Sequence, residues 1–181
     1  TGELAELMVG REVQLTVEKT LSKANTIRLS ATGLDCINED GSTAFKDVSF
    51  ELKAGEILGV AGVAGNGQTE LLEVLSGMRP PSGGSFTVLG VDQDRHVSNS
   101  PAKMRQLGVG HIPEDRHHHG LVLDFEAKEN MIFGFHRNSL AGEGFLMEPT
   151  IMENHCAKEM QKFDVRPRNP NLNARDFSGG N

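Results

Sequence analysis

The sequence predicts an α/β fold, and three observations carry that prediction. Two early segments alternate apolar and polar residues with period two, as half-buried strands do. A later run, Glu56-Ile57-Leu58-Gly59-Val60-Ala61, is almost unbroken in its apolar character, the pattern of a strand buried on both faces. A glycine loop and then an amphipathic helix follow that run directly, so strand and helix are laid one after the other as in layered α/β architectures.

The elements follow in order. Glu3-Leu4-Ala5-Glu6-Leu7-Met8 reads as the last turns of a helix stopped at Gly10, and residues 11–25 as a polar linker. Ile27, Leu29 and Ala31 mark the first alternating strand, and Val48, Phe50 and Leu52 the second. Between them Asn38-Glu39-Asp40-Gly41-Ser42 is a turn cluster. Beyond the glycine loop, Leu71, Leu72, Leu75 and Met78 line one side of a helix that Gly77 and Pro80-Pro81 end. Ser85 to Leu89 reads as a further strand. Ser100-Pro101 has the grammar of a helix start, a hydroxyl cap followed by proline at the first helical position, and Gly108 closes that helix. Val109-Gly110-His111-Ile112 reads as one more strand. From Glu126 the chain reads as helical, with Met152, Cys156, Met160 and Phe163 near helical spacing, and the Met and Phe positions between 145 and 163 read as its core. Residues 165–176 hold two prolines, three arginines and three asparagines, the composition of an extended loop.

Composition narrows the function. Eighteen Lys+Arg against 25 Asp+Glu give a net charge of −7, with no basic run, which argues against a nucleic-acid partner. Cys36 and Cys156 stand far apart in no metal-like spacing and read as two reduced thiols. No stretch approaches the roughly 18–20 apolar residues that span a bilayer, so any service to a membrane is from the water side. The chain starts at Thr1 rather than Met and stops in the glycine-rich Phe177-Ser178-Gly179-Gly180-Asn181, and both ends read as cut.

The chemistry-bearing segment is Gly62-Val63-Ala64-Gly65-Asn66-Gly67-Gln68-Thr69. It fits G-x-x-x-x-G-x-[ST], the phosphate loop with Gln68 where lysine stands. Glycines let the backbone curl so that several N–H groups face one anion. The following helix adds its positive end, and Thr69 supplies a hydroxyl able to ligate Mg²⁺. The absent ammonium is the group that offsets charge on the β- and γ-phosphates as a phosphoryl group moves. Such a loop binds nucleotide with impaired chemistry, or is a strand-to-helix turn with no ligand.

Ala54 to Leu71, with its Gly65-Asn66-Gly67-Gln68 core, resembles the second ATP-binding half of fused ABC importer ATPases for simple sugars and nucleosides. In that family the glutamine is itself part of the pattern. Three further segments agree. His111-Ile112-Pro113-Glu114-Asp115-Arg116, followed by Gly120-Leu121-Val122-Leu123-Asp124-Phe125 and Glu129-Asn130, resembles the Q-loop region, with Glu114 in place of glutamine. Ser178-Gly179-Gly180-Asn181 resembles the start of the ABC signature, and Met8-Val9-Gly10-Arg11 the junction between two halves. The Gly110-to-His117 block with Gly120 to Phe125 is closer to the nucleoside (guanosine-type) branch than to the ribose or galactose branch.

The resemblance implies an ABC-type P-loop ATPase domain: an antiparallel β-subdomain and partial parallel P-loop sheet (26–112), a Q-loop region and helical subdomain (113–176), and the start of the signature (177–181), with residues 1–25 ending a preceding half. It implies ATP and Mg²⁺ as cofactors. The nucleotide is held by Gly62, Val63, Ala64, Gly65, Asn66, Gly67, Gln68, Thr69 and Glu114, and by Ser178, Gly179 and Gly180 facing the partner half's nucleotide. It further implies a place on the cytoplasmic face of the membrane, with the first ATP-binding half of the same polypeptide, membrane permease subunits and, indirectly, an extracytoplasmic solute-binding protein as partners. The catalytic carboxylates and switch histidine of the family lie beyond the signature, so no complete catalytic set is expected in these 181 residues. Nor is the aromatic that stacks on adenine evident, since Cys36-Ile37 holds that approximate position and the chain has no Tyr or Trp. With the strand that normally flanks the phosphate-loop strand missing, the fragment is expected to be marginal as a monomer.

Alternatives are a non-catalytic structural or regulatory nucleotide-binding module and a free-standing P-loop enzyme; the missing lysine counts against the second. His117-His118-His119 reads as a solvated loop, because adjacent histidines converge poorly on one ion.

Overall fold

The computed structural model describes residues 26–93, 100–135 and 146–178. The junction Met8 to Arg11, the linker, Phe145, Gly179 and Gly180 lie outside the described residues. The chain divides into two compact units, Thr1–Ser100 and Pro101–Asn181.

In the first unit, β1 (Ile27–Ile37) and β2 (Thr43–Lys53) form an antiparallel hairpin across the expected turn. Asp40 accepts from the Ser42 N–H at 2.9 Å, and the Asn38 N–H donates to Ser42 O at 2.8 Å, which closes that turn. Helix α1 (Gln68–Leu75) follows, then β3 (Gly83–Val88) and β4 (Val91–Gln93). The sheet is four-stranded in the order β2-β1-β3-β4, antiparallel throughout. β2 alternates as its sequence demands, with Val48, Phe50 and Leu52 half-buried between exposed neighbours. β1 changes phase partway: Ala31 is buried, and then Leu34 and Cys36 rather than residues 33 and 35. The pairing register shifts between Ala31 and Leu34, where Gly33 takes φ +56°. One extra residue in a bulge moves the buried set from odd to even positions. Leu34, Phe86 and Val74 from β1, β3 and α1 are among the fully buried side chains.

Two expected strands do not form. Residues 56–63 run irregular and exposed, with Ile57 97% accessible, and residues 109–112 are irregular too, exposed from Gly110 on, with Ile112 92% accessible. An apolar run becomes a strand only when a neighbour takes its N–H and C=O groups. Among the described residues no strand pairs with either, and no parallel pairing is formed.

In the second unit, α2 (Pro101–Gln106) buries Met104 and ends at Gly108, φ +85°. A single π-turn (Arg116–Gly120) precedes α3 (Ala127–Ile132), and α4 (Pro149–Lys162) starts with proline in its first turn. Glu126 and Glu129 form a capping box on α3, in which the Glu129 carboxylate accepts from the Glu126 N–H at 2.8 Å. Helix α4 buries Met152, Cys156 and Met160 as the spacing predicts. The core expectation fails at its flanks, where Met147 and Phe163 are exposed. Phe163 is the C-cap residue at φ −95°, ψ 6°, so the helical stripe ends before reaching it. Both cysteines are buried free thiols, and burial pushes the Cys156 thiol up from its ordinary pKa. Residues 165–176 are mostly irregular, as their composition predicts, with a short 3₁₀ turn at Ala174–Asp176.

Candidate nucleotide-binding elements

The glycine loop lies in the first unit, between the exposed run and α1. Gly65 and Gly67 both take left-handed φ, +86° and +88°, and the Asn66 N–H donates to Val63 O at 3.2 Å. Gly67 is the N-cap of α1 and offers no side-chain cap to the helix end. It is also pressed against β2, since a Cβ there would stand 2.5 Å from Ala44 O and 3.2 Å from the Phe45 Cβ. β2 thus forms a back wall that holds the loop against the start of an eight-residue helix. Curled glycines ahead of a helix N-terminus without a side-chain cap are a cradle suited to phosphate. The backbone fits the polyphosphate of a nucleotide, but the loop brings no cation of its own. Gln68 folds back across the loop, its Nε2 only 2.2 Å from where a Gly62 Cβ would be. Thr69 follows on the first turn of α1 and is exposed.

Glu114 and Ser178 belong to the second unit. Glu114 is exposed and lines an open groove with Ile112, Pro113, Asp115, Arg116 and His117. Its neighbour Asp115 fixes the turn that follows: Oδ1 accepts from the His117 and His118 N–H groups at 2.9 and 3.0 Å, and Oδ2 meets His118 Nδ1 at 2.7 Å. The His118 ring and these backbone donors hold the Asp115 carboxyl down to about 2. The three histidines are exposed, and among the described residues no group of three or more His, Cys, Asp or Glu is placed to hold a metal ion. A second groove of about 630 Å³, mostly apolar, runs between His111, Ile112, Leu121, Met131, Met160 and Phe177. The chain just before Glu114 and the chain just before Ser178 are therefore walls of one groove. Of the signature residues only Ser178 is described; Gly179 and Gly180 lie outside.

Sequence reasoning missed two contributors, Ala44 and Phe45 behind the loop; it singled out Asn130 but not the clasp its side chain makes on Val122. Ala44 and Phe45 give no local signal, because their role comes from the folding of β2 against Gly67.

A strand hairpin feeding a phosphate-type loop and helix, followed by a separate helical unit, defines an ATP-binding cassette. The family model described as ABC transporter matches residues 45–181, and the chain belongs to that family, whose cofactor is ATP with Mg²⁺. Among its relatives is the guanosine import ATP-binding protein NupO of Bacillus subtilis (strain 168), 39% identical over 99% of this chain and 34% of that protein. The nucleoside import ATP-binding protein NupA of Lactococcus lactis subsp. cremoris (strain MG1363) is 37% identical over 99% of the chain and 35% of that protein. The chain thus spans about a third of the length of these curated relatives. A dimeric ATP-binding cassette in a post-hydrolysis state, bound to ADP and Pi, superposes with a TM-score of 0.61 at 16% identity, covering 84% of this chain and 64% of that one. That likeness establishes the fold.

Proposed function

We propose that this chain is part of the second ATP-binding half of an importer ATPase, and that it serves its partner half's active site more than its own. The observation that carries this reading is an anion-cradling loop without a lysine, Gly62 to Thr69, in the same chain as a Ser178-Gly179-Gly180 signature core. In the loop, the backbone from Gly65 to Thr69 holds phosphate oxygens and the Thr69 hydroxyl ligates Mg²⁺. Bound ATP supplies the phosphoryl group whose hydrolysis drives the cycle. Gln68 donates a neutral hydrogen bond where a cation would offset developing charge, so binding outlasts chemistry at this loop.

Ser178, Gly179 and Gly180 complete the other nucleotide site, whose lysine belongs to the partner half; backbone N–H groups there stabilise the γ-phosphate. Glu114 faces the permease subunits and reports nucleotide closure to them. Residues 1–25 end the preceding half and lead into this domain. The whole assembly works at the cytoplasmic face of the membrane, fed by an extracytoplasmic solute-binding protein. Among the described residues no helix is long and apolar enough to cross a membrane, in keeping with a peripheral subunit.

The relatives named for guanosine and nucleoside import support a nucleoside as the cargo. The test is ATP-dependent uptake of labelled guanosine into vesicles carrying the whole transporter. Unlabelled nucleosides should compete and ribose should not. Competition by ribose alone would overturn the nucleoside assignment. Titration of the intact protein with Mg-ATP separates this reading from a non-catalytic module: two nucleotides per protein are expected here, one for a structural relic.

A further inference from the structure

Asn66 and Gly67 stand directly before α1, and the pair has a chemistry that phosphate binding does not use. No other asparagine in these 181 residues is followed by glycine. The order matters because an asparagine carboxamide carbon lies within reach of the next residue's backbone nitrogen, and closure gives a five-membered ring. A side chain on the second residue obstructs that approach, and glycine has none.

The fold leaves one partner free and holds the other. Asn66 is exposed, and its own N–H is engaged with Val63 O at 3.2 Å. Gly67 is buried and pressed on Ala44 at φ +88°. Its carbonyl accepts from the Leu71 N–H at 2.9 Å, whereas among the described residues its N–H donates to none. The side chain to be attacked can turn, and the attacking nitrogen is fixed and unengaged. That nitrogen also lies at the N-cap of α1, in the positive field of a helix end without a side-chain cap. The curled N–H groups of the loop add to this field. The potential that draws a phosphate therefore also lowers the cost of taking the proton from the Gly67 N–H.

We propose that Asn66-Gly67 is a self-modifying site, at which deamidation switches off the phosphate cradle. Hydroxide removes the Gly67 amide proton. The nitrogen then bonds to Asn66 Cγ, and the Cγ–Nδ2 bond breaks as Nδ2 takes a proton from water and leaves as ammonia. A second water opens the succinimide at either carbonyl, leaving an aspartate or an isoaspartate at position 66. Hydroxide is regenerated, so one water is consumed for each ammonia released, and nothing is oxidised or reduced. Either product carries a carboxylate where a neutral carboxamide stood, and like charge repels the phosphates. The isoaspartyl product also lengthens the backbone by one carbon, which breaks the curl of N–H groups. Bound polyphosphate opposes the reaction, because its charge disfavours the amide anion and its oxygens engage the N–H. The switch rests on the reading of Gly62 to Thr69 as a nucleotide loop; the modification does not.

The test is to incubate the whole importer ATPase at mildly alkaline pH, with and without saturating Mg-ATP. Peptide mass spectrometry and enzymatic methylation of isoaspartate report the modification, and titration with Mg-ATP reports binding before and after. Position 66 should deamidate about tenfold or more faster than Asn154, which is exposed on α4. Mg-ATP should slow it about tenfold, and the modified loop should bind Mg-ATP about tenfold or more weakly, with the partner half's site unchanged. Asn66→Gln should lose no ammonia at this loop, because the larger ring closes slowly. A rate at position 66 equal to that at Asn154 overturns the proposal, as does unaltered Mg-ATP affinity after modification. A loop that binds no Mg-ATP before incubation would remove the nucleotide reading instead, and the mass spectra would still judge the modification.

Discussion

Gly67 carries two constraints at once, a left-handed φ of +88° and a back wall at Ala44 O. Gly67→Ala meets both, and a stability loss of about 2–4 kcal/mol is expected from the strained backbone and the forced retreat of β2. Chemical denaturation monitored in the first unit checks it. Asp115 makes a different kind of residue-level prediction. Its folded pKa lies near 2 against an ordinary 3.8, so its hold on the turn is in place above about pH 4 and is lost as pH falls through 2. The His117 and His118 amide resonances should shift as the pH falls below 4, in a transition centred near 2. Asp115→Asn should abolish that acid transition, and an unchanged transition would exclude Asp115 as its source. Neither constraint was legible in the sequence. G-x-x-x-x-G-x-[ST] shows that the second glycine matters, but what it presses against lies in another strand. Asp115 shows only as one acidic residue beside three histidines.

At the scale of elements, helix α4 separates what spacing can and cannot say. Met152, Cys156 and Met160 fall on one face and are buried as their periodicity predicts, whereas Phe163 is 69% exposed beside the Lys162 ammonium. Met160→Ala should cost about 2–5 kcal/mol, because it empties packed volume. Phe163→Ala should cost less than about 1 kcal/mol. Equal losses would mean that the C-cap phenyl is buried in solution. The strands tell a similar story. β2 was legible because its alternation is uninterrupted. β1 was legible only as far as Ala31, since the bulge at Gly33 reverses its phase and no local pattern announces where a bulge will fall. The run Glu56 to Ala61 has the pattern of a buried strand, yet strand formation depends on a neighbour, and that information is not in the run itself. Exposed Ile57 and Val60 within it, and Val63 just beyond, make this segment adhesive.

At the scale of the whole molecule, the proposed function has the parts of the chain serve different sites. The family was legible because its motifs are short, ordered and hard to meet by chance: a glycine loop after an apolar run, a Glu114 turn, and a serine-glycine ending. The backbone bonds that tie residues 122–128 to residues 170–175 within the second unit were not legible, because they carry no side-chain code. The central claim is that the Gln68 loop is auxiliary and the partner half's loop is the engine. The most direct measurement is labelled-nucleoside uptake by the whole transporter carrying one of two changes. Replacing the lysine of the partner half's phosphate loop with alanine should reduce uptake about a hundredfold or more, whereas Gln68→Ala should leave it within about threefold of the unaltered protein. Comparable loss from both changes would contradict the account.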